Sequence, residues 1–253
     1  MKNSYKIINQ RRDQILRIVH TSEEVSVTEL SKLLNVSPMT VRRDLEYMDK
    51  KGFLKRTHGG AKTLTSPLKN KSYDTMVAVE KIAQKASYYI EPNSTIFINS
   101  SLTALLSIKY ASDKIFTIVT NNMDINTKDI NANTNIILTG GELRYPKNAL
   151  VGDIAINTLS NISADIAIIG CSGISAEKGI TTNNVHEAKV NQQMVSHTNN
   201  LVVAVANRDK IGNNTNFTMC DISFIDILIT DYDEVTEELQ HIIDSGVEVI
   251  NVK

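Results

Sequence analysis

The sequence predicts a two-part α/β protein: a small basic head of three helices and a short hairpin, followed by a larger body built on a mainly parallel sheet. Three observations carry this. Basic charge is concentrated at the front, where residues 1–62 hold 13 Lys and Arg against 7 Asp and Glu, while the remainder holds 14 against 21. Apolar residues recur at helical spacing through most of the first 50 residues. From residue 76 onward, short apolar runs alternate with helical stretches, the pattern of a parallel sheet covered on both faces.

The head opens with Ile7, Ile8, Ile15, Leu16, Ile18 and Val19 at helical spacing, a helix ending near His20. Thr21-Ser22-Glu23-Glu24 breaks it, and Val25 to Val27 form a short extended connection. A second helix starts at Thr28, with Leu30, Leu33 and Leu34 on one face, and Asn35-Val36 turns the chain. Ser37 is suited to cap a third helix, and Pro38 stands at the first helical position, where a missing N–H costs nothing. That helix runs to about Lys50, with Val41, Leu45 and Met48 on its buried face. Thr40, Arg43 and Tyr47 lie opposite, and Met39, Arg42 and Asp44 flank them. Gly52 permits a left-handed turn, and Phe53 to Thr57 reads as a strand. His58-Gly59-Gly60-Ala61 then turns, and Lys55, Arg56 and Lys62 sit where a wing would lie near a phosphate backbone. Two helices joined by a tight turn, the second with hydroxyl and basic residues near its start, match a DNA-reading helix-turn-helix. Such hydroxyls suit phosphate oxygens, and arginine reaches guanine edges with two hydrogen bonds. Spacing alone leaves a second reading open, a helical hairpin that binds only protein.

Residues 62–75 are polar, lack periodicity and contain Ser66-Pro67, so they read as a linker between a head at 1–61 and a body at 76–253. In the body, helices are expected over 77–89, 102–109, 123–130, 153–159, 185–197 and 234–244. Strands are expected at 95–98, 116–119, 135–138, 166–169, 201–205, 225–229 and 248–252. Loops at the carboxyl ends of parallel strands form the usual ligand crevice. Here they carry Ser100, Ser101 and Thr103, then Asn121, then Gly140, Gly141 and Arg144, then Gly173, and finally Lys210. Small and hydroxyl residues in such loops let backbone N–H groups approach an anion, which suits an oxygen-rich, phosphorylated ligand. Gly-rich strand ends are also simply tight turns, and residue types alone do not separate the two readings.

The run Val36-Ser37-Pro38-Met39-Thr40-Val41-Arg42-Arg43-Asp44-Leu45, followed by Gly52-Phe53-Leu54-Lys55-Arg56-Thr57-His58-Gly59-Gly60-Ala61, resembles the N-terminal signature of the DeoR family of bacterial sugar-metabolism regulators. The resemblance continues through Val119-Thr120-Asn121, Thr139-Gly140-Gly141-Glu142-Leu143-Arg144, Gly170-Cys171-Ser172-Gly173-Ile174, Gly179-Ile180-Thr181 and Glu187-Ala188. It implies a winged helix-turn-helix whose third helix enters the major groove, with Ser37, Met39, Thr40, Arg42, Arg43, Lys55 and Arg56 at the DNA. Asp44 would orient an arginine, since a carboxylate repels phosphate. It also implies an effector domain related in fold to ribose-5-phosphate isomerase and CoA transferases, binding a phosphorylated sugar that controls the grip on operator DNA. The chain departs from the family at Asn99-Ser100-Ser101, where Asp-Ser-Gly is usual, at Asn207, where Asp is usual, and at Asn191-Gln192-Gln193, where a basic residue is usual. Gln192-Gln193 and Phe217-Thr218 are similar to repressors of the lactose phosphotransferase type.

The competing class is an enzyme, a sugar-phosphate isomerase fused to a DNA-binding head, with Glu142, Glu187 and Lys210 as candidate base and electrophile. The carboxylates usual in neighbouring loops are here Asn99 and Asn207, which cannot abstract a proton. The five histidines fall at no metal-ligand spacing, and Cys171 and Cys220 offer neither a disulfide framework nor a metal site, so no metal or cofactor is expected. A reduced, cytoplasmic protein that forms a dimer or tetramer on operator DNA is the resulting expectation.

Overall fold

The computed structural model describes residues 2–22, 24–63 and 72–253, with side chains from Ile7 onward. The chain divides into two compact units, Met1–Val77 and Ala78–Lys253.

The first unit contains α1 (Lys2–Ser22), β1 (Glu24–Ser26), α2 (Val27–Leu34), α3 (Pro38–Lys50), β2 (Lys55–Arg56) and β3 (Gly60–Lys62). Helix α2 begins one residue before the expected start because Ser26 and Glu29 cap each other. The Glu29 N–H donates to Ser26 Oγ at 3.1 Å and the Ser26 N–H to Glu29 Oε2 at 2.9 Å. That bond from the Ser26 backbone holds the Glu29 carboxyl below its ordinary pKa. Helix α3 has the predicted cap, with Thr40 N–H donating to Ser37 Oγ at 3.2 Å. Its inner face, Val41, Leu45 and Met48, is fully buried with Ile15, Leu16, Val19 and Leu30. The three short strands form an antiparallel sheet in the order β1-β3-β2. Phe53 and Leu54 leave the expected strand and enter the core instead. Gly60 and Ala61, expected in the turn, belong to β3. A Cβ at Gly60 would stand 2.0 Å from the Val25 carbonyl oxygen, so only glycine lets β3 lie this close to β1.

The expected linker is shorter than read. Lys62 is the last residue of β3, and Tyr73 to Thr75 are the first residues of α4 (Tyr73–Ala86). Residues 64–71 lie outside the described residues. Tyr73 and Met76 are each 1% exposed and complete the head's core, with the Tyr73 ring edge-on to Phe53 at 5.5 Å. Burial of these apolar side chains is what makes Tyr73 to Thr75 helical instead of extended.

The second unit continues α4 and adds β4 (Thr95–Ile98), α5 (Leu102–Lys109), β5 (Thr117–Thr120), β6 (Asn135–Leu138), β7 (Glu142–Arg144) and β8 (Ala149–Val151). After these come α6 (Asp153–Ser160), β9 (Ala164–Gly170), β10 (Gly173–Ser175), β11 (Gly179–Thr182) and α7 (Val185–Ser196). The chain closes with β12 (Thr198–Val205), β13 (Phe217–Cys220), β14 (Ile227–Thr230), α8 (Glu237–Asp244) and β15 (Glu248–Asn251). Seven strands make one sheet in the order β15-β14-β12-β9-β4-β5-β6. All its pairings are parallel, as the continuous apolar runs require.

Successive strand residues face opposite layers. Ile96, Ile98, Ile118, Ile168, Val203 and Ile229 pack with Ile82 and Ala86 of α4 and Ala104 and Ile108 of α5. Phe97, Val119, Ala167, Ile169, Ala204 and Leu228 face Leu159 of α6, Val190 and Met194 of α7, and Leu239 and Ile242 of α8. The helix expected over 123–130 is instead irregular chain with one 3-10 turn, Thr127–Asp129. Asn122 Oδ1 accepts from the Asp124 N–H and Asn126 Oδ1 from the Lys128 N–H, so side chains divert the backbone from helix. Two small antiparallel sheets were not foreseen: the β7–β8 hairpin, and β10, β11 and β13 together. No helix among the described residues is long and apolar enough to cross a membrane.

Candidate functional site

The residues expected to carry the chemistry fall on two surfaces, one in each unit. In the head, Met39, Arg42 and Arg43 are exposed on α3, and Ser37 is exposed at its cap. Arg42 and Arg43 have no hydrogen-bond or ion-pair partner among the described residues. The Ser37 and Thr40 hydroxyls bond each other at 2.9 Å at the start of α3. Lys55 and Arg56 are exposed on β2; Lys55 Nζ is 3.9 Å from Asp49, and the Arg56 N–H donates to Asp49 Oδ1 at 3.0 Å. The hairpin is thereby tied to the last turn of α3.

Two residues of α3 serve another purpose. Asp44 is 3% exposed and accepts from Arg11 Nε at 2.6 Å and Arg12 Nε at 2.9 Å. It does orient arginines, but those of α1 and not its neighbours on α3. Tyr47, expected on the outer face, lies half-buried beneath Arg12, whose guanidinium carbon is 3.8 Å from the ring centroid. Arg12 also donates to the Tyr73 hydroxyl at 2.8 Å. Burial works against the Arg12 charge, and its bonds to Asp44 and Tyr73 outweigh that and raise its pKa. Arg12 is therefore a fixed cation inside the head, bonded to α3 and to the first residue of α4.

In the body, the expected effector residues sit on loops at the carboxyl ends of β12, β9, β4, β5 and β6, which are successive neighbours in the sheet. The crest between β4 and β9 is held by Asn99. Its Nδ2 donates to the Gly170 carbonyl at 2.8 Å, and its Oδ1 accepts from the Gly170 N–H at 3.1 Å and the Ser101 N–H at 3.2 Å. Ser101 caps α5 and packs directly on Gly170, where a Cβ would fall 2.0 Å from Ser101 Oγ. Ser100 is buried, and Thr103 is half-buried in the first turn of α5.

Asn121 is fully buried and stitches the loop after β5 to β8. Its Nδ2 donates to the Leu150 carbonyl at 3.1 Å, and the Leu150 N–H donates to its carbonyl at 2.7 Å. Asn121 Oδ1 meets no donor among the described residues. Gly140 and Gly141 have φ of 70° and 110°, and a Cβ at Gly141 would stand 2.4 Å from the Val151 carbonyl oxygen. They launch the β7–β8 hairpin alongside the crest.

Two expected effector residues are differently engaged. Gly173 is buried in β10, and the Asn213 carbonyl oxygen would be 2.0 Å from its Cβ, so protein backbone already fills the space beside it. Arg144 is exposed and paired with Glu142 at 2.6 Å. Lys210 is half-buried on a 3-10 turn after β12, without a side-chain partner among the described residues.

The structure adds a pair absent from the expected effector set. Glu187, in the first turn of α7, is 4% exposed and accepts from Lys147 Nζ at 2.6 Å. Lys147 comes from the β7–β8 turn. Burial pushes the thiol of Cys171, just past β9, up to about 12, while the positive charges of Lys210 and Lys147 pull the other way. A cleft of about 680 Å³ also opens at the amino ends of β4, β9 and β12, lined by Tyr88, Tyr89, Glu91, Asp165, Asn200 and Leu201. Its charged lining residues are the carboxylates Glu91 and Asp165.

Comparison with known proteins finds a match in each unit. Residues 11–67 match the DeoR-like helix-turn-helix domain, and residues 77–232 match the DeoR C terminal sensor domain. The chain is similar to the HTH-type transcriptional regulator GolR of Listeria innocua, 31% identical over 88% of this chain and 90% of that one. It is 29% identical to the glycerol-3-phosphate regulon repressor of Escherichia coli, over 95% and 97% of the two chains. The lactose phosphotransferase system repressor of Staphylococcus aureus is 27% identical over 96% and 99%. With both of its units matched in order by the family's two domains, the chain belongs to the DeoR family of transcriptional regulators.

Proposed function

We propose that this chain is a cytoplasmic transcriptional repressor of a carbohydrate-metabolism operon, whose hold on operator DNA is controlled by a phosphorylated sugar bound at the crest of its sensor domain. The observation that carries the reading is the state of Arg42 and Arg43. Both are exposed on α3 with no partner among the described residues, while the neighbouring Asp44 is consumed inside the protein. Ser37, Thr40, Lys55 and Arg56 would hold phosphates, and Met39, Arg42 and Arg43 would meet base edges. The named repressors among its relatives support the regulatory role. At the crest, Ser100, Ser101, Thr103, Asn121, Gly140, Gly141 and Lys210 lie at the ends of adjacent strands, and Lys210, without a side-chain partner among the described residues, would supply a cation for a phosphate. A ligand favouring the DNA-incompetent arrangement depletes the operator-bound population by linkage.

Two heads on one palindromic operator would be spaced by one helical turn, about 34 Å, so the active species is a homo-oligomer. The test uses the full chain: selection of bound duplexes from a random pool, followed by titration of the selected DNA with sugar phosphates and the matching free sugars. A palindromic consensus whose binding changes with one phosphorylated sugar, and not with its free form, is the expected result. Binding without sequence preference, or indifference to every phosphorylated sugar, overturns it.

A further inference from the structure

We infer that Lys147 and Glu187 belong to the effector site, Lys147 as a second cation for the ligand's phosphate and Glu187 as the acceptor for its carbon-borne hydroxyls. This rests on the crest being the effector site.

The argument starts from the cost of burying a carboxylate. Glu187 is 4% exposed, and a charge so buried needs a partner. The partners present are Lys147 at 2.6 Å and, more weakly, the Thr182 hydroxyl at 3.5 Å. The two sides of the ion pair are unequal. Glu187 is fixed in a helix, and the Lys147 side chain is 45% exposed on a turn. An exposed lysine can exchange one anion for another at little cost in desolvation, and the buried carboxylate cannot move.

Charge at the crest supplies the reason for exchange. Lys210 has no partner among the described residues, and it stands on the turn after β12, the strand paired with β9. A phosphate monoester at neutral pH carries between one and a half and two negative charges, about the charge of two lysines. When Lys147 turns to the phosphate, Glu187 loses its ammonium donor and must be satisfied otherwise. The ligand's own hydroxyls are the donors at hand. Asn121 Oδ1, buried against the same hairpin, is a second acceptor waiting for a donor. The site therefore demands phosphate and hydroxyls on one molecule. Inorganic phosphate would strip Lys147 and leave Glu187 bare, and a free sugar would lack the charge that draws Lys147 away.

The experiment measures affinity by calorimetry on the full chain. The probes are glycerol 3-phosphate, ribose 5-phosphate, tagatose 6-phosphate, the three dephosphorylated compounds and inorganic phosphate. The proteins are wild type, Lys210→Met, Lys147→Met, Glu187→Gln and the Lys147→Met/Glu187→Gln double variant. For the phosphorylated sugar that binds wild type best, Lys210→Met abolishes binding, and Lys147→Met and Glu187→Gln each weaken it about tenfold or more, as for lost charge-assisted hydrogen bonds. Glu187→Gln binds inorganic phosphate more tightly than wild type, because it no longer competes for Lys147. A general loss of structure would weaken every ligand and could not produce that gain. The double variant leaves no charge buried without a partner, so its folding is protected and it must show the loss for the sugar phosphate. If Lys210→Met abolishes binding while Lys147→Met, Glu187→Gln and the double variant match wild type, the crest reading stands and this inference fails. If wild type binds none of the phosphorylated probes, both fail.

Discussion

Arg12 lies flat over Tyr47, 3.8 Å from the ring centroid, with its Nε bonded to Asp44 at 2.9 Å. One guanidinium thus grips two residues one turn apart on α3. That cation belongs to α1, and Arg42 and Arg43 stay exposed on α3 beside the two residues it holds.

Removing Asp44 should therefore damage the head more than removing any exposed arginine. Asp44→Ala strands two partly buried guanidinium groups, a change that typically costs about 3–5 kcal/mol. The expected outcome is an earlier melting transition for the head, followed by tyrosine fluorescence, together with lost DNA binding. A variant that melts like wild type would mean that Arg11 and Arg12 find water without penalty.

Arg43→Ala leaves that scaffold intact. It should weaken binding to the selected operator by about 1–3 kcal/mol and relax preference at one base position. Lys55→Ala should weaken all sequences alike and reduce the salt dependence by about one counterion. Fluorescence anisotropy at several salt concentrations separates the two behaviours.

Asn99→Asp should destabilise the sensor domain although it restores the residue usual in the family. An amide both donates to and accepts from Gly170, at 2.8 and 3.1 Å. An ionised carboxylate can only accept and would face the Gly170 carbonyl oxygen. The cost of a buried acceptor left without its donor is about 1–3 kcal/mol. Urea melts of the two proteins at neutral pH measure it, and equal midpoints would show that the Gly170 carbonyl has another donor.

The two thiols give a test at alkaline pH. Burial raises both Cys171 and Cys220 from 9.0 to about 12. An acid whose folded pKa is raised keeps its stabilising contribution below the unfolded value and loses it as pH rises towards the folded one. Stability should therefore decline between about 9 and 12, and a variant with both cysteines changed to serine should decline less. At neutral pH neither thiol should react readily with a disulfide reagent until the chain unfolds, because the thiolate is the reactive form.

The parts legible in the sequence are those governed by local chemistry. Ser37-Pro38 with Val41, Leu45 and Met48 defines α3 without any knowledge of the rest. The apolar runs around Ile96, Ile118 and Ile168 give parallel strands and, at their ends, the crest. Tyr47 was misread because a helix wheel does not reveal that α1 will lay Arg12 over one side of it. The β7–β8 hairpin escaped notice because Glu142 to Arg144 are all exposed and show no alternation. Lys147 and Glu187 stand 40 residues apart, and only the hairpin's course across the crest joins them. Asn99 reads in the sequence as a lost carboxylate, because the donor and the acceptor that Gly170 presents to it lie 71 residues away and meet it only in the fold.

The position of β9 in the sheet governs how the body can be assembled during synthesis. Strands β4 and β12 both pair with it and not with each other. As the chain leaves the ribosome, β4, β5 and β6 can associate early, but one flank of β4 stays open until Ala164–Gly170 emerges. An uncovered strand edge invites pairing with other chains, and parallel pairings that close long loops form slowly. The head faces no such wait, since its core is complete once Met76 has been made. A newborn chain thus acquires α3 well before its sensor domain is complete, and a chain cut short before β9 would be a head attached to an adhesive half-sheet.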